Sequence, residues 1–251
     1  MEQGIGFAHF LTHTDDLGRI VLGALLLFST ASWYLIVTKT IGNLVTRRRA
    51  DAFLTRFWQA KSLKEVRGLL ERQPPNNAFA VLTGQALDAV DTGERQGLHH
   101  LAAAGGIGEL ITRVLRNGID QEAARVESGL TVLASAGSSA PYIGLFGTVW
   151  SIYHALVNIG LAGQGTLDKV AGPVGEALIM TALGLAVAIP AVLAYNSFNR
   201  RNRLWLARLD AFAHDLYVLV AVNTGANGPA DPHRPTRPAA QPGGVHGDRQ
   251  L

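Results

Sequence analysis

Between Gly129 and Asn199 the chain carries three formal charges, Asp168, Lys169 and Glu176. Asp168 and Lys169 fall in a polar break that reads as a turn, whereas Glu176 stands inside an apolar run, three residues after Pro173. A carboxylate at membrane depth costs about 3 kcal/mol or more, so such residues are paired, face a polar interior, or carry protons or ions. Polar side chains recur nearby at helical spacing. Gly137, Pro141, Gly144, Thr148, Ser151, Ala155, Asn158 and Ala162 follow at steps of four and three, which places them on one helix face. In the next apolar run Ala177, Thr181, Gly184, Ala188 and Ala191 form a second small-residue stripe with one hydroxyl in it. Two readings fit these stripes. Small residues let helices pack closely, which accounts for Gly and Ala. Thr148, Ser151 and Asn158 can in addition line water or hydrate an ion, which points to a pore or proton path.

Threonine supplies no titrating group of its own. Glu176 and Thr181 lie five residues apart, about 140° around a helix, so they need not point the same way. Glu176 is expected near the outer end of its span. His154 falls off the stripe and is read as an interface residue ahead of a proton relay.

Other candidate chemistry is weaker. His9 and His13 are one helical turn apart without a third ligand, and His99-His100 has no acid, Cys or further His at metal spacing. Gly105-Gly106-Ile107-Gly108 has the wrong glycine spacing for a dinucleotide loop, and no strand precedes it. No Ser/His/Asp arrangement, metal triad or phosphate loop is present, so neither an enzyme nor a cofactor is expected. The chain has no Cys, which excludes disulfides and thiol chemistry.

The elements that must hold these residues are apolar helices. Of the 251 residues 48% are hydrophobic, and the charge is segregated. Residues 20–38, 129–162 and 174–196 are almost uncharged, and spans of about 20 apolar residues match a bilayer core of roughly 30 Å. The expected fold is all-α, an integral membrane protein whose three transmembrane helices extend into a cytoplasmic helical bundle. Its expected parts are a periplasmic segment 1–19, spans 20–38, 129–162 and 174–196, a cytoplasmic insert 39–128, a periplasmic turn 163–173, a cytoplasmic helix 197–222 and a disordered tail 223–251. Lys39 and Arg47 to Arg49 follow the first span, and Arg200, Arg201 and Arg203 follow the third. Basic residues mark the inner side, so the N-terminus is expected outside and the C-terminus inside. These clusters sit beside apolar spans and the net charge is only +3, which argues for lipid contact and topology over nucleic acid.

Within the insert, Phe53, Phe57, Trp58, Leu63, Val66, Leu69 and Leu70 recur at helical spacing up to Pro74-Pro75. A further helix is expected over 76–90, with Thr92-Gly93 as its stop. From Gly118 the pattern reads as helix running unbroken into the second span, and Pro173 reads as the first turn of the third.

Three stretches make up two specific motifs, one on each of the last two spans. Pro-Tyr-Ile-Gly-Leu-Phe-Gly-Thr-Val-Trp at 141–150, with Gly-Glu-Ala-Leu at 175–178 and Gly-Leu-Ala-Val-Ala-Ile-Pro-Ala-Val-Leu-Ala-Tyr-Asn at 184–196, resemble the MotA/TolQ/ExbB proton-channel family over about residues 10–222. The resemblance implies a homopentamer in the bacterial inner membrane. Its second and third helices would line a pore around an ExbD-like single-span partner with an intramembrane Asp, and proton flow would energise a TonB-like protein for outer-membrane uptake of siderophores, haem or cobalamin. The Tol-Pal branch, which maintains the envelope, shares both motifs and is the alternative; a non-conducting membrane scaffold is the alternative of another class. Carried over by position, Thr148 and Thr181 match the family's pore-facing threonines and Glu176 its intramembrane acid. Ser151, Asn158, Gly144 and Gly184 complete the expected lining. Where the family usually reads Ala-Pro-Gly, this chain has Ala171-Gly172-Pro173.

Overall fold

The computed structural model describes residues 16–72, 75–95, 106–161 and 167–226. These form six helices: α1 (Asp16–Gln59), α2 (Leu63–Arg72), α3 (Ala78–Arg95), α4 (Gly106–Glu127), α5 (Leu130–Leu161) and α6 (Leu167–Ala226). Three stretches are long and apolar enough to cross a membrane: Asp16–Gln59, Ile107–Leu161 and Val170–Val222. Among the described residues the chain is therefore all-helical, with three candidate spans. The paired His9 and His13, the pair His99-His100, most of the expected tail and the first part of the expected turn, 163–166, lie outside the described residues; the rest of that turn, from Leu167, is helical.

Length separates two kinds of surface. At 1.5 Å per residue, α1 with its 44 residues is about 66 Å long and α6 with its 60 is about 90 Å. Each exceeds a bilayer, so each extends well beyond it. In the apolar half of α1, Leu26 and Leu27 are 69% and 68% exposed, while Val21 and Leu25 are buried against Ala140, Met180 and Ala188. Leucines exposed in such rows suit hydrocarbon, since in water they would form a large apolar patch.

The remaining halves of α1 and α6 join α2, α3 and α4 in a bundle with its own core. Phe57, Phe79, Trp205 and Phe212 stack edge to face in that core, with Phe79 ring centroids 5.2 Å from both Trp205 and Phe212. Arg67 of α2 grips Asp91 of α3 through both carboxylate oxygens, at 2.5 and 2.9 Å. Asn77 caps α3, its Oδ1 accepting from the Ala80 N–H at 3.0 Å. An N-cap of this kind is worth about 1 kcal/mol. Asn77→Ala is expected to lower the stability of the bundle by that amount, seen as an earlier midpoint in thermal unfolding, and Asn77→Asp is expected to retain it.

Four local readings are corrected. The helical pattern over 53–70 breaks at 60–62, where Ser62 Oγ accepts from the Glu65 N–H and the Glu65 carboxylate accepts from the Lys61 N–H. That is a variant of the capping box, Ser-x-x-Glu with the carboxylate reaching one residue before the cap, and it starts a new helix. Gly93 does not stop α3. A Cβ there would lie 3.1 Å from Ile107 Cγ1, so the glycine serves close packing between α3 and α4. The helix expected to pass from Gly118 into the span is interrupted at Ser128 and Gly129, where Gly129 has φ 76°, a conformation glycine adopts without strain. Pro173 is not in a first turn, because the helix already begins at Leu167.

The interruption at Gly129 is bolted in place. Lys39 Nζ of α1 and Asn202 Nδ2 of α6 both donate to the Val126 carbonyl, at 3.0 and 2.9 Å, and so satisfy the end of α4 from two sides. One turn earlier Glu122, only 7% exposed, accepts from Arg125 and from Trp205 Nε1 at 2.9 Å each. A hydrogen bond to a charged acceptor contributes about 1.5 to 3 kcal/mol. Trp205→Phe keeps the ring and removes the donor, so we expect a loss near the lower end of that range in denaturant unfolding of the bundle. Unchanged stability would mean that the indole N–H contributes nothing here.

Candidate functional site

Helices α5 and α6 run antiparallel and make the most extensive contact in the molecule. Their seam is built on glycine. A Cβ added to Gly144 would lie 2.6 Å from the Met180 carbonyl oxygen and 3.1 Å from Gly184 Cα. One added to Gly184 would lie 2.6 Å from the Ala140 carbonyl oxygen. The two backbones therefore touch, a spacing that only residues without a side chain allow. Gly137 abuts Val192 further along the seam, and Gly147 faces Val21 of α1, whose Cγ1 would be 3.0 Å from its Cβ.

One turn from this crossing the two threonines meet. Thr148 Oγ1 lies 2.6 Å from Thr181 Oγ1, 3.0 Å from the Ala177 carbonyl and 3.1 Å from the Gly144 carbonyl. Thr148 is 5% exposed, and Thr181 is half-buried. Spacing along the sequence gave the face of each helix, but not this contact across the seam, nor the Ala177 carbonyl as a partner.

The other expected residues are placed less closely. Ser151 is half-buried and Asn158 exposed, one and three turns beyond Thr148 on α5. Gly144 and Gly184 are buried in the seam of a single chain. Glu176 belongs to α6, one residue before Ala177, but its side chain lies outside the described residues, as do those of Asp168 and Lys169. His154 packs at a tilt against Trp150 with ring centroids 4.5 Å apart, in a run that includes Phe146 and Tyr153, on a different face of α5 from Thr148. Among the described residues no group of three or more His, Cys, Asp or Glu could hold a metal ion.

A glycine crossing with a hydroxyl pair one turn away, between apolar helices of spanning length, is suited to hydrogen-bonding a mobile polar group within a membrane. Residues 85–211 match the model of the MotA/TolQ/ExbB proton channel family. The chain belongs to the MotA/TolQ/ExbB family. A relative in Xanthomonas campestris pv. campestris (strain B100), the biopolymer transport protein ExbB, is 39% identical over 235 residues, covering 88% of this chain and 90% of the relative. The protein of the same name in Neisseria gonorrhoeae is 43% identical over 195 residues, covering 77% of this chain and 87% of its own length. The Tol-Pal system protein TolQ of Pseudomonas aeruginosa (strain PAO1) is 32% identical over 204 residues, covering 80% and 87%. MotA/TolQ/ExbB proteins are proton-channel subunits, not a family of enzymes, and the higher identities are to those named ExbB.

Proposed function

We propose that this chain is an ExbB-like motor subunit: five copies surround a pore in the bacterial inner membrane and, with an ExbD-like single-span partner bearing an intramembrane Asp, convert proton flow into work on a TonB-like protein. The N-terminus is then periplasmic and the bundle cytoplasmic, an orientation supported by the basic clusters after the first and third spans. Thr148, Thr181, Ser151, Asn158 and Glu176 line or border the path, and Gly144 and Gly184 set its wall. The observation that carries this reading is the 2.6 Å hydroxyl pair beside the glycine crossing, in a chain of a proton-channel family. A potential of 100 mV supplies about 2.3 kcal/mol per charge crossing the membrane. Hydroxyls cannot carry that charge, so they serve an acid that does.

The test is proton uptake into liposomes holding the full chain with its partner. Thr181→Val removes one hydroxyl at nearly constant volume. Loss of its hydrogen bond to the partner acid, about 0.5 to 1.5 kcal/mol, lowers flux roughly twofold to tenfold. Flux at the unsubstituted level would overturn the proton path and leave the scaffold reading. The TolQ-like alternative rests on the 32% relative; a deletion strain that loses iron uptake while its envelope stays intact separates the two.

A further inference from the structure

We propose that the two threonines of the pair do different work: Thr148 is a positioning residue whose proton is committed to backbone carbonyls, and Thr181 therefore offers only lone pairs to its ligand, which is a neutral carboxyl group. This rests on the proton-path reading above and deepens it.

The assignment follows from counting protons. Each hydroxyl has one proton to donate and two lone pairs to accept with. Thr148 Oγ1 has three oxygen neighbours, and two of them, the Gly144 and Ala177 carbonyls at 3.1 and 3.0 Å, can only accept. Either carbonyl contact needs the Thr148 proton. Were that proton turned towards Thr181, both carbonyl oxygens would face lone pairs of Thr148 at about hydrogen-bond distance in a buried seam, where the low dielectric makes such opposition costly. Thr148 therefore donates to the carbonyls, and the 2.6 Å contact is carried by the Thr181 proton. Both protons of the pair are then in use. Burial assigns the outward member, because Thr148 is 5% exposed while Thr181 is half-buried.

An acceptor-only site discriminates between protonation states. A neutral carboxyl has an O–H to donate to Thr181; a carboxylate has none and meets a lone pair. The pair thus holds an acid in its protonated form and releases it as the proton leaves. The charged and titratable groups at this end of the three packed helices are Asp16 and Arg19 of α1, paired at 3.3 Å, His154 of α5 with the exposed Tyr142 and Tyr153 of the same helix, and Asp168, Lys169 and Glu176 of α6. Asp16 and Arg19 pair with each other, His154 packs on Trp150 and Tyr153, and the side chains of the last three lie outside the described residues.

The experiment is proton flux against pH in liposomes containing the full chain and its partner, comparing Thr148→Val, Thr148→Ser and Thr181→Val. Thr181→Val is expected to lower flux at every pH. Thr148→Val frees the Thr181 proton to donate to a carboxylate, which favours the anion, so flux persists with its half-maximal pH moved down by about one unit. Thr148→Ser returns the original profile. Should the valine variant fail to assemble, Thr148→Ala gives the same comparison without a methyl against Ala177. Equal loss in the Thr148 and Thr181 variants with an unmoved midpoint overturns the division of roles and leaves the proton path standing. Unchanged flux in both overturns the proton path itself.

Discussion

Gly184→Ala is expected to force α5 and α6 apart and to reduce both the stability of the spans and the proton flux. The new Cβ would fall 2.6 Å from the Ala140 carbonyl oxygen and 3.1 Å from Gly144 Cα. Both obstacles are backbone, so no side chain can rotate away, and the helices themselves must separate by about half an ångström or more. Overpacking of this kind costs about 1 to 3 kcal/mol. The separation also stretches the Thr148–Thr181 contact one turn away, which starts at 2.6 Å. Gly144→Ala meets the Met180 carbonyl at the same distance and has the same expected outcome. Because the two glycines share one contact, the double variant should cost less than the two single variants added together. Thermal unfolding of the purified complex and flux in liposomes read the two effects. A Gly184→Ala protein with unaltered melting would show that the seam is looser than its geometry.

Phe79→Ala is expected to be the most damaging change in the bundle. Phe79 is fully buried, meets Trp205 and Phe212 edge to face, and lies under the Arg208 guanidinium, whose carbon is 5.6 Å from the ring centroid. Truncation removes all these contacts and leaves a cavity, at a cost of about 3 to 5 kcal/mol. Arg208 keeps its 2.7 Å ion pair with Asp51, so the α1–α6 contact does not vanish altogether. Hydrogen exchange should accelerate in α3 and the bundle half of α6, while the apolar half of α5 stays protected. Phe79→Leu, which fills part of the space, should show a smaller change. Equal protection in Phe79→Ala would sink the view that this aromatic cluster holds the bundle together.

Periodicity made the three apolar helices and the faces of Thr148 and Thr181 legible, because a helix repeats every 3.6 residues whatever surrounds it. Punctuation was harder to read. Gly93 and Gly129 look alike along the chain, yet one fits against Ile107 within a packed pair and the other ends a helix with positive φ. Only the neighbour in space tells them apart. Ser62 with Glu65 was a usable signal for a helix start, hidden inside a longer apolar pattern. The Lys39, Glu122, Asn202 and Trp205 contacts join residues far apart in sequence, so no spacing rule could have assembled them. For the threonine pair, sequence gave the chemistry of each member, whereas the sharing of protons required the carbonyl of Ala177.

The two long helices that meet at the pair differ in how they leave it. On one side the chain has a joint, since α5 meets α4 at Gly129. On the other, α6 continues without interruption from the threonine to the tryptophan of the bundle, about 36 Å of helix at 1.5 Å per residue. Such a rod is a lever. A tilt of one degree at Thr181 displaces Trp205 sideways by about 0.6 Å, and α4, tied to α6 through Glu122–Trp205 and Val126–Asn202, is drawn along with it. A small tilt near the threonine pair therefore arrives magnified at the far end of α6.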